Sequence, residues 1–517
     1  MTVHQLSLRQ NPAAMGEKII PSSYLKPAHY TRSKKMIKNS QIDCPPHSKL
    51  SAMVIATALF LLLHQFHNVQ RFPYDAEGYW HLGNPEIFFN YPKAIRGYFY
   101  PFLLLPARLF SNLFGDYQIY SYRFLSAIAY AYALTIVLPA FYVRVFGGTL
   151  TILRRLIPPL LIAVLFPGLI IYPLSDLPAF LLLIGSISAL LSAKSAVSRT
   201  TAGALAVFGG VLAAGAYNTR TIYLFPLLCI FCAVLFYFFS AQLTRNRLLG
   251  VLAFIAGLLL VSLPQSFINQ STHGTWSPAV IPQQSEKSLF ALQLMWGITM
   301  QRYETTIDSA APAPTRYFMD RVGENLFISE SLENGEVTIA KYISLVARNP
   351  IDFLGIYGRH LVNGLDLRDG EVYVKNSKRV SNKIAVFNFL MLALGLLSAL
   401  VRYDAWKLKG SVLSTDPSIK RASADIIWPL CAFVLLLPVF AILPGAVETR
   451  FFLGLHVLLY CTIAFNASAA EIASYIKKHW IPVLFGFGLL FTLFFAVSTS
   501  TMSSMQSFIH LPYRFGQ

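Results

Sequence analysis

The stretch FPYDAEGYWH, residues 72–81, sets two carboxylates, Asp75 and Glu77, among four aromatic rings. Three other short stretches hold isolated charges in apolar surroundings. YPLSD carries Asp176, AYNTRT carries Arg220, and PGAVETRFF carries Glu448 and Arg450. Arginine can grip a phosphate with two parallel hydrogen bonds. A carboxylate can take the proton of an attacking hydroxyl. Each residue alone also reads as an interfacial anchor or a local ion pair, so what matters is whether the chain brings them to one place.

The elements available to position them are membrane spans. The chain has 517 residues, 55% hydrophobic and 13% charged; a soluble protein carries about twice that charge fraction. Apolar runs long enough to cross a bilayer as helices recur along it. The spacing predicts eleven spans, at 51–69, 118–143, 156–172, 175–193, 201–217, 221–240, 248–265, 384–401, 426–443, 451–468 and 480–498. The expected fold class is an all-α polytopic membrane protein.

The net charge of +18 is a matter of topology. Eight of the 42 Lys and Arg lie within residues 1–49, a polar, Pro-containing segment without periodicity that reads as a disordered cytosolic tail. That placement excludes nucleic acid as a partner. With the tail inside, fourteen further basic residues fall in inside turns: Arg144, Arg154 and Arg155; Lys194 and Arg199; Arg245 and Arg247; Arg402, Lys407, Lys409, Lys420 and Arg421; Lys477 and Lys478. This is the bias that sets membrane orientation. The expected organisation is a tail (1–49), an N-terminal membrane module (50–265) with a first outer loop (70–117), a large outer loop (266–383), a C-terminal membrane module (384–500) and an outer tail (501–517). In the large loop, KYISLVARNPIDFLGIYGRHLVNGL reads as amphipathic helix lying on the membrane surface.

In this topology Asp75, Glu77, Asp176, Arg220, Glu448 and Arg450 all reach the outer face. Acids and arginines at membrane depth are costly and mark cavities or ligand sites. Transfer of a sugar from a phosphate-linked lipid needs both kinds of group, a base for the acceptor and a cationic clamp for the departing phosphate.

Several motifs resemble those of the membrane-embedded glycosyltransferases of the GT-C superfamily, which use polyprenyl-phosphate sugar donors. The similar group includes protein O-mannosyltransferases and aminoarabinose transferases. Asp75 followed by Tyr79 matches the spacing of the family's first-loop motif, and GYFYPFLLLPARLFSNLFGD is similar to the pattern after it. YPLSDLPAFLLL gives Ser175 and Asp176, AYNTRTIYLFPL gives Thr219 and Arg220, and ETRFFLGLHVLL gives Glu448 and Arg450. The resemblance covers roughly 70–265 and 440–470. Asp-Ala-Glu stands where many relatives have adjacent acids, and Thr221 stands where relatives often have Pro.

The resemblance implies a GT-C-like bundle in which Asp75 is the general base of an inverting single displacement. Arg220 and Arg450 would hold the donor phosphate, with Glu448 and Thr219 in support. Glu77, Tyr79 and Asp176 are candidate catalytic partners or sugar ligands; Glu77 reads equally as a spectator. In an extended segment residues two apart face one side, so Asp75 and Glu77 could also hold a divalent cation with water; no other cofactor is implied. Tyr79 and Trp80 could stack on a sugar, though they also fit an interface belt.

His64, His67 and His81 read as hydrogen-bonded structure. Cys229 and Cys232 read as small packing residues within a span. The expected partners are the lipid-linked donor, a glycan, lipid or protein acceptor, and membrane lipids. A bacterial plasma membrane is the expected location, and Asn269-Gln270-Ser271 would matter only in a secretory pathway. Two other readings share the many spans. One is a polysaccharide polymerase or ligase. The other is a transporter, which would carry midspan ionisable groups; His456 is the main one here.

Overall fold

The computed structural model describes residues 46–506 apart from breaks at 93, 95, 114–117, 240–243, 282, 285–286, 310, 312–314, 333–336, 369–371, 376–381 and 413–426. Residues 1–45 of the expected tail, Lys420 and Arg421 lie outside the described residues. The first helix begins at Pro46, so the end of the expected tail is helical.

Helices dominate. The N-terminal elements are α1 (Pro46–His67), α2 (Tyr74–Leu82), α3 (Phe99–Leu113), α4 (Gln118–Tyr132, continued through a π-helical turn to Phe146), α5 (Ile152–Leu165), α6 (Asp176–Ser195), α7 (Arg199–Thr219), α8 (Leu224–Ala233, extended by a π turn to Phe238) and α9 (Thr244–His273). The large loop holds α10 (Leu289–Thr299), β1 (Met300–Thr305), β2 (Thr315–Met319), α11 (Arg321–Ser329), α12 (Ile339–Arg348) and α13 (Pro350–Leu365). The chain continues with α14 (Asn382–Val412), α15 (Ile427–Ile442), α16 (Leu453–Phe465), α17 (Ala469–Lys478), α18 (Trp480–Ser503) and β3 (Met505–Gln506).

Among the described residues, eight helices are long and apolar enough to span a bilayer. They are α1, α4, α6, α7, α8 with its flanking turns, α9, α14 and α18. The chain is therefore a multi-pass membrane protein. The expected spans at 156–172 and 426–443 fall on helices of 14 and 16 residues, about 21–24 Å long against a hydrocarbon core of about 30 Å. The span expected at 451–468 falls on α16, which turns by 98° into α17 and makes a ninth span if the bent pair counts as one. Nearly all of α16 is buried, so it serves as a central post of the bundle.

Helices α7 and α9 pack so closely that a Cβ on Gly210 would strike the Phe254 carbonyl, and one on Gly257 the Val207 carbonyl. Only glycine allows this approach. Charged groups segregate to opposite helix ends. Asp176 opens α6, while at its far end Arg144 donates to Leu191 O (2.7 Å) and Ser192 Oγ (2.8 Å), and Lys194 lies 3.7 Å over the Tyr237 ring.

The predicted amphipathic stretch in the large loop is two helices, α12 and α13, divided at Asn349–Pro350 because proline disfavours helical backbone in the residue before it. Tyr342, Leu345, Phe353 and Ile356 face inward, and Ile339, Ile343, Ile351 and Leu354 are exposed. The small antiparallel sheet β1-β2-β3 was not predicted. Its third strand comes from the segment expected to be a tail. Helix α9 runs through to His273 without a break, past the expected end at 265.

Candidate active site

Helix α2 begins at Tyr74, whose backbone is left-handed (φ 44°), an uncommon state for a bulky residue. The Tyr74 hydroxyl donates to Thr306 O at 2.9 Å, tying the helix start to the chain just after β1. Asp75 therefore sits in the first helical turn, where the helix dipole favours negative charge.

Three arginines converge on Asp75, Arg96 from its own loop and Arg220 and Arg450 from far along the chain. Arg450 Nη2 lies 3.4 Å and Arg96 Nη2 4.0 Å from its Oδ2, and Arg220 contributes to the same positive field. Burial alone would raise the Asp75 pKa, but Arg450, Arg96 and Arg220 together hold it below the usual carboxylate range. Its side chain keeps 44% of its surface accessible, whereas Asp176 and Glu448 keep about a twentieth. Asp75 is thus the open carboxylate of the cluster.

The two buried acids hold the arginines. Asp176 pairs with Arg220, and Glu448 pairs with Arg450. Glu448 Oε1 also accepts from Thr305 Oγ1 at 3.1 Å. Burial raises the Glu448 pKa despite Arg450, and the nearby Asp75 charge adds to the rise. Phe451 lies between the guanidinium groups, 4.4 Å from Arg220 and 5.5 Å from Arg450. Such stacking suits arginine, being planar and weakly hydrated.

Two clefts meet at Arg450. One is narrow, apolar along Ile222, Leu435, Val439 and Leu453, and ends at Asp176, Arg220 and Arg450. The other, also narrow, is the more polar one, with Arg302, Tyr303, Glu304, Glu448 and Thr449 around Arg450. The first cleft thus sets a cationic end, Arg220 and Arg450, beside an aliphatic wall.

The remaining predicted residues divide. Tyr79 shares a face with Asp75, being four residues on, but its hydroxyl donates to Ser175 Oγ at 3.1 Å and braces α2 against the start of α6. Thr219 is fully buried at the end of α7, and its hydroxyl has no hydrogen-bond partner among the described residues. Glu77 is not beside Asp75. Positions two apart in a helix point about 200° apart, and Glu77 pairs instead with Arg71 at 2.9 Å. The cation site considered for Asp75 and Glu77 is therefore corrected: an extended strand would have formed it, and a helix does not. No group of three His, Cys, Asp or Glu suited to a metal occurs among the described residues.

His64 meets Ser126 Oγ at 3.4 Å, His67 meets Lys375 Nζ at 2.7 Å, and His81 is exposed. Cys229 is half-buried, while Cys232 faces outward and packs against little, contrary to the packing role expected of it. Asn269 is buried, donating to Ser277 O (2.6 Å) and Ala279 O (2.7 Å), so its tripeptide is closed to glycosylation in the folded chain.

Four site residues escaped the sequence reading. Arg96 lies in the same loop as Asp75, and its place beside the aromatic GYFYP run was the available signal. Asn218, two residues before Arg220, ties that segment to the Arg96 loop: its Oδ1 accepts from Phe99 N (2.7 Å), three residues after Arg96, and its Nδ2 donates to Gln265 Oε1 (2.8 Å). Tyr303 and Tyr373 lie near Asp75 and Arg450, and burial keeps both phenols protonated well above their usual range. Both come from the large loop, where no span end marks them. In comparisons with known proteins, no family model matches the chain, and neither does any curated protein or solved structure.

Proposed function

We propose that the chain is a membrane glycosyltransferase that moves a sugar from a polyprenyl-phosphate donor to a hydroxyl acceptor. The observation that carries this reading is one accessible carboxylate, Asp75, in the field of Arg96, Arg220 and Arg450, two of which, Arg220 and Arg450, also close one end of an apolar cleft. In the proposed reaction Asp75 takes the acceptor's proton while the acceptor oxygen bonds to the anomeric carbon. The bond from that carbon to the phosphate oxygen breaks, and the phosphate leaves with the electron pair. One base suffices for such a displacement, which inverts the anomeric centre. Arg220 and Arg450 hold the departing phosphate, kept in place by Asp176 and Glu448. A donor phosphate that draws Arg450 away from Asp75 also raises the basicity of Asp75 when the acceptor is present. On this reading the fold is a GT-C-like bundle, the Asp75 end faces outward from a bacterial plasma membrane, and the basic turns face the cytosol.

The test is glycan and lipid mass spectrometry on a strain lacking the chain, complemented with wild type or Asp75→Asn. The expected result is a hexose- or pentose-sized mass on one glycan, lipid or protein, restored by wild type alone at equal membrane abundance. Restoration by Asp75→Asn sinks the base assignment, and restoration of nothing by wild type sinks the transferase reading.

A further inference from the structure

A third cleft, of about 330 Å³, lies on the side of α2 that carries Glu77, away from Asp75. Phe72 and Trp80 form its floor; Gln70, Arg71, Glu77, Tyr120 and Arg123 line the rest. That is the lower end of the roughly 300–1,000 Å³ typical of ligand sites.

The lining selects a chemistry. Arg71 pairs with Glu77 at 2.9 Å. The Arg123 guanidinium donates to the Val69 carbonyl and stacks 4.9 Å from the Tyr120 ring. Among the described residues the cleft thus holds no cation without a partner, which disfavours a phosphate. What it offers is a set of planar hydrogen-bonding groups (Gln70, Arg71, Glu77) beside aromatic surface, with Tyr120 55% exposed. A neutral ring with hydroxyls on its rim and C–H groups on its faces satisfies both at once. The cleft is close to Asp75 along the chain: Glu77 of its lining is two residues from Asp75 in the same helix, and Tyr74, next to Asp75, is 46% exposed.

We propose that this cleft binds a neutral oligosaccharide, and that it is the distal subsite for an acceptor glycan whose terminal hydroxyl reaches Asp75 around the start of α2. The acceptor role rests on the transferase reading; the saccharide site does not. The test replaces Tyr120→p-benzoylphenylalanine in the full chain, in cells, with and without Asp75→Asn, and analyses the photoadducts by mass spectrometry. Phe66→p-benzoylphenylalanine, at an 85% exposed position of α1, is the lipid-captured control.

The expected adduct at position 120 carries at least two sugar-sized mass increments. Its yield falls about tenfold in Arg71→Ala/Glu77→Ala, the loss expected from charged hydrogen-bonding groups. Phospholipid masses alone at position 120 overturn the proposal, as does no adduct there while the control crosslinks. A saccharide adduct in a chain whose Asp75→Asn variant still makes product preserves the site and removes only its link to Asp75.

Discussion

Asp75 and Glu77 stand two residues apart on one short helix, yet they face different arginines. Arg450 reaches Asp75 from the end of the chain, while Arg71 holds Glu77 on the other side. Helix α2 is therefore a partition. A change on one of its faces should not mimic a change on the other.

The first prediction concerns Asp75 itself. Asp75→Asn keeps the side chain's shape and its accessible position but removes the base. Turnover should fall by about 10²–10⁴, the usual span for general-base loss, with the thermal midpoint in nanodiscs nearly unmoved. A fall in stability comparable to the fall in rate would make Asp75 a structural residue.

Acidity gives a second handle. Because the arginines lower the Asp75 pKa, its ionised form is present above the unfolded value and is lost only as pH falls through the lower, folded value. The acid limb of kcat/KM should lie below the ordinary carboxylate range. Arg96→Gln removes one of the cations, raises that pKa and should move the limb to higher pH. Initial rates across the acid range decide the point, and an unmoved limb would show that Arg96 is not electrically coupled to Asp75.

The buried pair Asp176–Arg220 should behave differently. Removing either partner strands a charge, at a cost of about 3–5 kcal/mol. Asp176→Asn and Arg220→Gln should each lower stability markedly, and the double variant should lose less than the sum of the two. Denaturation of all four proteins in one detergent gives the coupling directly. Additive losses would show the two side chains to be energetically independent.

Packing between α7 and α9 can be probed with one substitution type at two sites. Gly257→Val drives a side chain into the Val207 carbonyl and should cost about 1–3 kcal/mol or more. Gly203→Val, on the same pair of helices, meets nothing within 4 Å and should be close to neutral. Equal effects would mean that helix propensity rather than contact governs both.

The bundle was legible because twenty-residue apolar runs have few other uses. Its shorter helices α5, α15 and α16 also stood out as apolar, but their ends depended on neighbours. The grouping of Asp75, Asp176, Arg220, Glu448 and Arg450 could be read from charge at span ends. The separation of Asp75 from Glu77 could not, because it depends on α2 starting at Tyr74 in a left-handed turn held by Thr306, from a remote loop. Tyr303 and Tyr373 were hidden for a related reason. Neither abuts a span, and the sheet that carries Tyr303 is completed by residues far along the chain.

That sheet sets an order of events in biosynthesis. Strand β2 pairs with β3 at Phe318–Met505 and Tyr317–Gln506, and β3 follows directly on α18. Beside it, Ser498 of α18 bonds to Asp366 and Arg368, at the end of the large loop. The ribosome makes β1 and β2 long before α18 exists, so the nascent loop must wait with an open strand edge and a buried Asp366 still lacking its serine. The sheet that carries Tyr303 is therefore complete only once the last span has been made.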